Sequence, residues 1–198
     1  MKKILIAGAG IAALGLAILP TAGTFADVTD TITVTISGSC SVGSTDSKTG
    51  SSNAFSATIA NGASKEWAPT SGEGNGGKLY VSCNDNSGWH VNAIGGDGTG
   101  TAVTDMVKTG GGTGISTGTT FSGNDSAWGM KLAGSGVESG YSSNYVAIPA
   151  TSTKVAGGST AVSGNLIYTG YEVYVSPTQE AGTYTGIVQY TVSAGVSS

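Results

Sequence analysis

Arginine is absent from this chain, histidine occurs once, cysteine twice and proline four times. Charged residues of all kinds make up only 10% of it. Helical bundles and coiled coils draw heavily on Ala, Leu, Glu, Lys and Arg, so this composition excludes them. One His and two widely separated Cys cannot assemble a zinc site. The formal net charge is −4, and no basic patch is available to meet nucleic acid or an anionic membrane.

Gly, Ser and Thr fill much of the space these absences leave, with 86 of the 198 residues between them. Hydrophobic residues make up 38% and mean hydropathy is +0.10. Such a chain is too apolar and too weakly charged to stay disordered. The composition points to an all-β domain with many Gly-rich loops.

The first 26 residues have their own pattern. Lys2 and Lys3 precede an uncharged run over residues 4–19, followed by Pro20 and the small-x-small site Thr24-Phe25-Ala26. This is the layout of a secretory signal peptide, expected as a helix over 1–26 and cut after Ala26. An uncleaved anchor is the alternative. Residues 27–198 then form one secreted domain, with six Lys against twelve acidic residues. A chain of that size buries roughly 70% of its unfolded surface, enough for a sizeable core.

Several motifs imitate active sites. Ile4-Leu5-Ile6-Ala7-Gly8-Ala9-Gly10-Ile11-Ala12-Ala13 fits a dinucleotide fingerprint, with Asp27 and Asp30 further on. No alternation of helix and strand follows, so Gly and Ala here fill the signal's apolar stretch. Gly114-Ile115-Ser116-Thr117-Gly118 fits the hydrolase elbow. His90 lies upstream of it, whereas that chain order needs Ser before His. Gly95-Gly96-Asp97-Gly98-Thr99-Gly100 lacks the last Asp of a calcium repeat and has no tandem copy. Asn84, Asp85 and Asn86 form a polar turn without an EF-hand's bidentate Glu. No cofactor is expected, and a loop-bound calcium ion stays open as an alternative.

Period-2 segments between turn clusters predict strands. Ile32, Val34 and Ile36 alternate with Thr; Phe55, Ala57 and Ile59 do the same. Leu79, Val81 and Cys83 share a face, followed by Trp89, Val91 and Ala93. Val103 to Lys108, Trp128 to Leu132, Tyr145 to Ile148, Tyr171 to Val175 and Tyr184 to Val192 complete the set. Residues 95–101 and 109–118 read as loops, and Trp67 sits in a loop context before Pro69. Eight or nine strands at these spacings predict a two-sheet antiparallel sandwich, Ig-like or pilin-like. In an exported chain Cys40 and Cys83 are expected to pair. Their long loop makes the bond worth about 3–4 kcal/mol.

The segments Ile32-Thr33-Val34-Thr35-Ile36-Ser37-Gly38-Ser39-Cys40, Leu79-Tyr80-Val81-Ser82-Cys83 and Ala181-Gly182-Thr183-Tyr184-Thr185-Gly186-Ile187-Val188 resemble bacterial fimbrial subunits and spore-coat-U-type secreted proteins. In those families a signal peptide precedes a strand ending in Cys, a second Cys lies on a later strand, and a Gly-x-Tyr strand closes the chain. Similar segments also occur in uncharacterised secreted proteins of reduced-genome bacteria. The resemblance covers the two ends; residues 95–165 have no counterpart. It implies a structural or adhesive cell-surface protein without enzymatic activity. Its partners would be other surface proteins, copies of itself, or cell-wall and host glycans. Nucleic acid is not among them, nor is a membrane beyond the signal segment. The second reading is a secreted carbohydrate- or wall-binding module, with Trp67 as the ligand-stacking ring. Residues 28–36 and 183–192 are terminal strands, and terminal strands often form sheet edges open to other chains. Ile32, Val34 and Ile36 are the candidate assembly strand. The nearby Cys40 tether favours its pairing within its own domain over exchange between copies.

Overall fold

The computed structural model describes residues 39–43, 53–70, 76–97 and 101–195. The expected signal peptide 1–26 and the strand of Ile32, Val34 and Ile36 lie outside the described residues. The described chain is all-β apart from one turn of helix, α1 (Ser139–Ser142). Eleven strands are defined: β1 (Cys40–Gly43), β2 (Ala63–Trp67), β3 (Gly77–Cys83), β4 (Trp89–Gly96), β5 (Val107–Lys108), β6 (Ser116–Thr117), β7 (Ala127–Gly134), β8 (Thr153–Gly158), β9 (Val162–Val175), β10 (Tyr184–Thr185) and β11 (Ile187–Ala194).

The fourteen-residue β9 organises the largest sheet, which runs β1-β3-β9-β7-β6. One edge of β9 pairs with β7 from Gly134 opposite Ile167 to Ala127 opposite Tyr174. Its other edge is shared. β3 takes the first half, with Leu79 opposite Ile167, and β2 takes the second, with Trp67 opposite Tyr171. Gly170 marks the changeover, where a Cβ would stand 2.5 Å from Pro69 Cδ. Only glycine lets the chain leaving β2 cross so close to β9.

A second sheet runs β11-β4-β8, and β5 pairs with β10 in a small third one. Alternation explains the burial. In β3 every second residue from Gly77 to Cys83 is buried, and in β4 Trp89, Val91 and Ala93 are buried. Both larger sheets feed one core cluster. Leu79, Val81, Trp128, Met130, Leu132, Ile167 and Val173 come from one, and Trp89, Val91, Ala93, Val155 and Ala156 from the other.

Several expectations change. Phe55, Ala57 and Ile59 lie in a segment that forms no strand, since residues 53–60 pair with no neighbouring strand. The strand count is eleven among the described residues, because two-residue pieces such as β5, β6 and β10 pair as well. β6 arises inside the Gly-rich stretch read as a loop, and it pairs parallel with β7, against an otherwise antiparallel fold. Residues 145–148 contribute a single bridge, Val146 to Met130, because β6 already occupies part of that edge. Trp67 ends a strand instead of lying in a loop. No helix of the described residues is long and apolar enough to cross a membrane.

Candidate functional site

The cysteine pair exists as expected. Cys40 and Cys83 are disulfide-bonded and lie directly opposite each other on β1 and β3. The start of β1 is further held where Ser39 N donates to Asn84 Oδ1 at 2.6 Å and Asn84 N donates to Ser39 O at 3.1 Å. Asn84 opens the turn between β3 and β4. Within it Asp85 Oδ1 accepts from Ser87 N at 2.8 Å and from the Ser87 hydroxyl. These two bonds hold the Asp85 carboxyl below its ordinary pKa. Asp85 is thus engaged in shaping a turn.

The other motif residues are separated by the fold. Ser116 lies on β6 of the large sheet, and His90 on β4 of the other, its Nδ1 2.8 Å from Gly195 O. Gly95 and Gly96 are strand residues, and Asp97 Oδ1 accepts from Thr101 N at 3.2 Å. Among the described residues no three His, Cys, Asp or Glu side chains gather as a metal site would require.

Trp67 lies beside a cluster of aromatic rings. It is half-buried at the end of β2 and lines a depression of about 350 Å³ with Asn53, Phe55, Ser56, Gly76 and Gly77. Phe55 packs 5.9 Å from Trp67 and 5.2 Å from Tyr171, ring centre to ring centre. Lys65 Nζ stands 5.9 Å over the Trp67 ring. Asn53 Nδ2 donates to Lys78 O at 3.0 Å, which fastens the Phe55 segment to β3. A Cβ on Gly77 would fall 2.4 Å from the Asn53 side chain, so glycine there makes room for that clasp. The arrangement offers an apolar ring, a primary amide and a cation along one sheet edge. Trp89 and Trp128 are core residues, each 4% exposed, and Trp128 Nε1 donates to Thr104 O at 2.8 Å.

The row continues inward. Trp128 stacks on Tyr171 at 6.5 Å, and the Tyr171 and Tyr190 hydroxyls are 2.9 Å apart, joining the two larger sheets. Burial pushes the Tyr171 pKa up to about 12 and that of Tyr190 well above the ordinary tyrosine value.

The opposite face of β2 and β9 holds a group that sequence reasoning passed over. Glu66 and Glu172 are direct cross-strand partners. Tyr145 donates its hydroxyl proton to Glu66 Oε1 at 2.8 Å. Burial, reinforced by that bond and by the two carboxylates, raises the Tyr145 pKa. Burial also raises the Glu172 pKa, with the Glu66 charge adding to it. Phe121 lies edge-on to Tyr145 at 5.9 Å, and Lys131 Nζ sits 5.8 Å over the Tyr145 ring. The strand spacing of Glu66 and Glu172 is invisible in sequence, where they stand 106 positions apart.

The fold and these contacts define a disulfide-bonded all-β protein with an aromatic sheet edge. Comparison of the chain with protein families, with curated proteins and with solved structures finds no match.

Proposed function

We propose that the protein is a secreted, non-enzymatic structural or adhesive component of the cell surface, similar to coat and fimbrial subunits. In this reading it is a two-sheet Ig-like sandwich released from a signal peptide over residues 1–26. The observation that carries the reading is the Cys40–Cys83 bond. Disulfides persist in oxidising, exported compartments and are rare in the reducing cytosol. The charged start and apolar run of residues 2–19 supply the matching export route. Ile32, Val34 and Ile36 are the candidate assembly strand, with the Cys40 tether favouring pairing inside their own domain over exchange with other copies. Mass spectrometry and N-terminal sequencing of exported protein test the export reading. The expected result is Asp27 at the N-terminus and no free thiol; Met1 at the N-terminus with two free thiols would overturn it. Deleting residues 27–37 tests the assembly assignment. A strand that exchanges between copies should take polymers with it and leave a folded core, one that pairs within its own domain should take stability with it, and no change in assembly or melting would refute both roles.

A second reading, a glycan- or wall-binding module, draws on the depression beside Trp67. An indole face stacks on the apolar face of a sugar ring, and a nearby amide and ammonium reach its hydroxyls. Trp67→Ala should abolish retention on glycan arrays or purified cell wall under conditions where circular dichroism shows the variant still folded. Equal retention of both proteins would remove this reading.

A further inference from the structure

Glu66 and Glu172 face each other across β2 and β9, and neither is in an ion pair among the described residues. Like charges directly opposite on antiparallel strands are destabilising. Lys131 stands over the ring of Tyr145, whose hydroxyl is bonded to Glu66, and Lys65 stands over the Trp67 ring. The ion pairs among the described residues, Lys108–Glu180 and Lys154–Glu138, lie on other elements. β7 presents Gly129 opposite Glu172, so that neighbour brings neither charge nor hydrogen-bonding side chain. The Phe121 ring fills the space over Gly129, 2.9 Å from where a Cβ would be. The 145 segment presents Tyr145, whose hydroxyl is already given to Glu66. The groups around Glu172 are therefore Glu66 from β2, Tyr145 from its segment and Lys131 from β7.

We propose that Glu66 and Glu172 form a proton-operated clasp on β2, which holds this strand and its Trp67 more firmly when one proton is shared between the two carboxyls. A protonated Glu172 can donate an O–H···O bond to Glu66, turning a repulsive pair into a bonded one. Burial and the Glu66 charge both act to keep that proton on Glu172. The sign follows from linkage. Glu172 binds its proton more tightly folded than unfolded, so the repulsion is felt above its raised pKa and relieved as the pH falls through it. β2 is the place where this is read, since it pairs with β9 alone in the large sheet and ends in Trp67. The clasp does not depend on where the protein resides or on what it binds.

Carboxyl NMR of the exported protein tests this directly. Glu172 in the wild type should titrate above the ordinary glutamate range, and Glu66→Gln should return its midpoint toward that range. Amide exchange gives the mechanical readout. Protection of Ala63–Trp67, corrected for intrinsic exchange, should rise severalfold below the midpoint while that of Gly77–Cys83 stays level. Glu172→Gln should flatten the β2 response. An ordinary Glu172 midpoint, a midpoint that Glu66→Gln leaves in place, or β2 protection equal on both sides of it would each overturn the clasp.

Discussion

The two halves of β9 carry the same backbone ladder but are secured by different chemistry. The first half lies against β3, where Leu79, Val81 and Ile167 are buried aliphatics and the adjoining β1 is tied by a disulfide. The second half lies against β2, where the inward residues are Lys65 and Trp67 and the outward pair is two glutamates. There the aromatic rings of Phe55, Trp67 and Tyr171 replace the aliphatic packing. A covalent tie and dry packing make one half a scaffold. Amphipathic rings and two facing carboxylates leave the other half responsive to solvent. Aromatic rings collect on the second half, where Trp67 and Tyr171 combine an apolar body with a polar tip.

Breaking the covalent tie should have the largest effect. Replacing Cys40 and Cys83 together with alanine removes the constraint on a loop of 43 residues and should cost about 3–4 kcal/mol. A urea melt should show this as a lower midpoint, and an unchanged midpoint would mean the bond is incidental to stability. Phe55→Ala should come next, at about 2 kcal/mol, below a fully buried Phe because the site is half-exposed. Its loss should raise exchange in β2 before β3. Equal changes in both would show that the halves are not separate units.

The smallest effect tests where the halves join the other sheet. Tyr171→Phe deletes the hydroxyl contact with Tyr190 and should cost about 1 kcal/mol at neutral pH. In the wild type the folded pKa of Tyr171 is pushed up to about 12, above an unfolded value of about 10. The unfolded chain therefore releases a proton that the fold retains, and stability should fall as pH rises through that window. The variant should lose less stability over the same range; identical alkaline melting profiles would show that this tyrosine does not contribute.

Much of the first half could be read from the residues. Leu79, Val81 and Cys83 alternate cleanly, as do Trp89, Val91 and Ala93, and these became β3 and β4 with the expected faces buried. The second half was harder. In β2 the inward positions are Ala63, Lys65 and Trp67, and a lysine at a core-facing position hides the period. β8 was missed because its register shifts against Val91 and Asn92, which leaves two consecutive residues, Val155 and Ala156, both buried. A bulge of this kind breaks the alternation on which strand reading depends. The first part of β9 was missed because Asn165 and Thr169 stand at the core-facing positions on either side of Ile167, where apolar residues would mark a strand. Trp67 was singled out as a binding residue, but its neighbours Phe55 and Asn53 were not.

By itself the sequence determined the all-β class, the pairing of its two cysteines and the alternating strands β3 and β4. Each of these follows from composition or from a local period, and local periods need no knowledge of what lies opposite. Only the tertiary structure decided that β9 is shared between β3 and β2, that Phe55 and Trp67 meet at one edge, and that Glu66 confronts Glu172. Strand partners distant in the chain are chosen by how whole faces pack together. The charges and rings so juxtaposed carry no signal in their own short neighbourhoods.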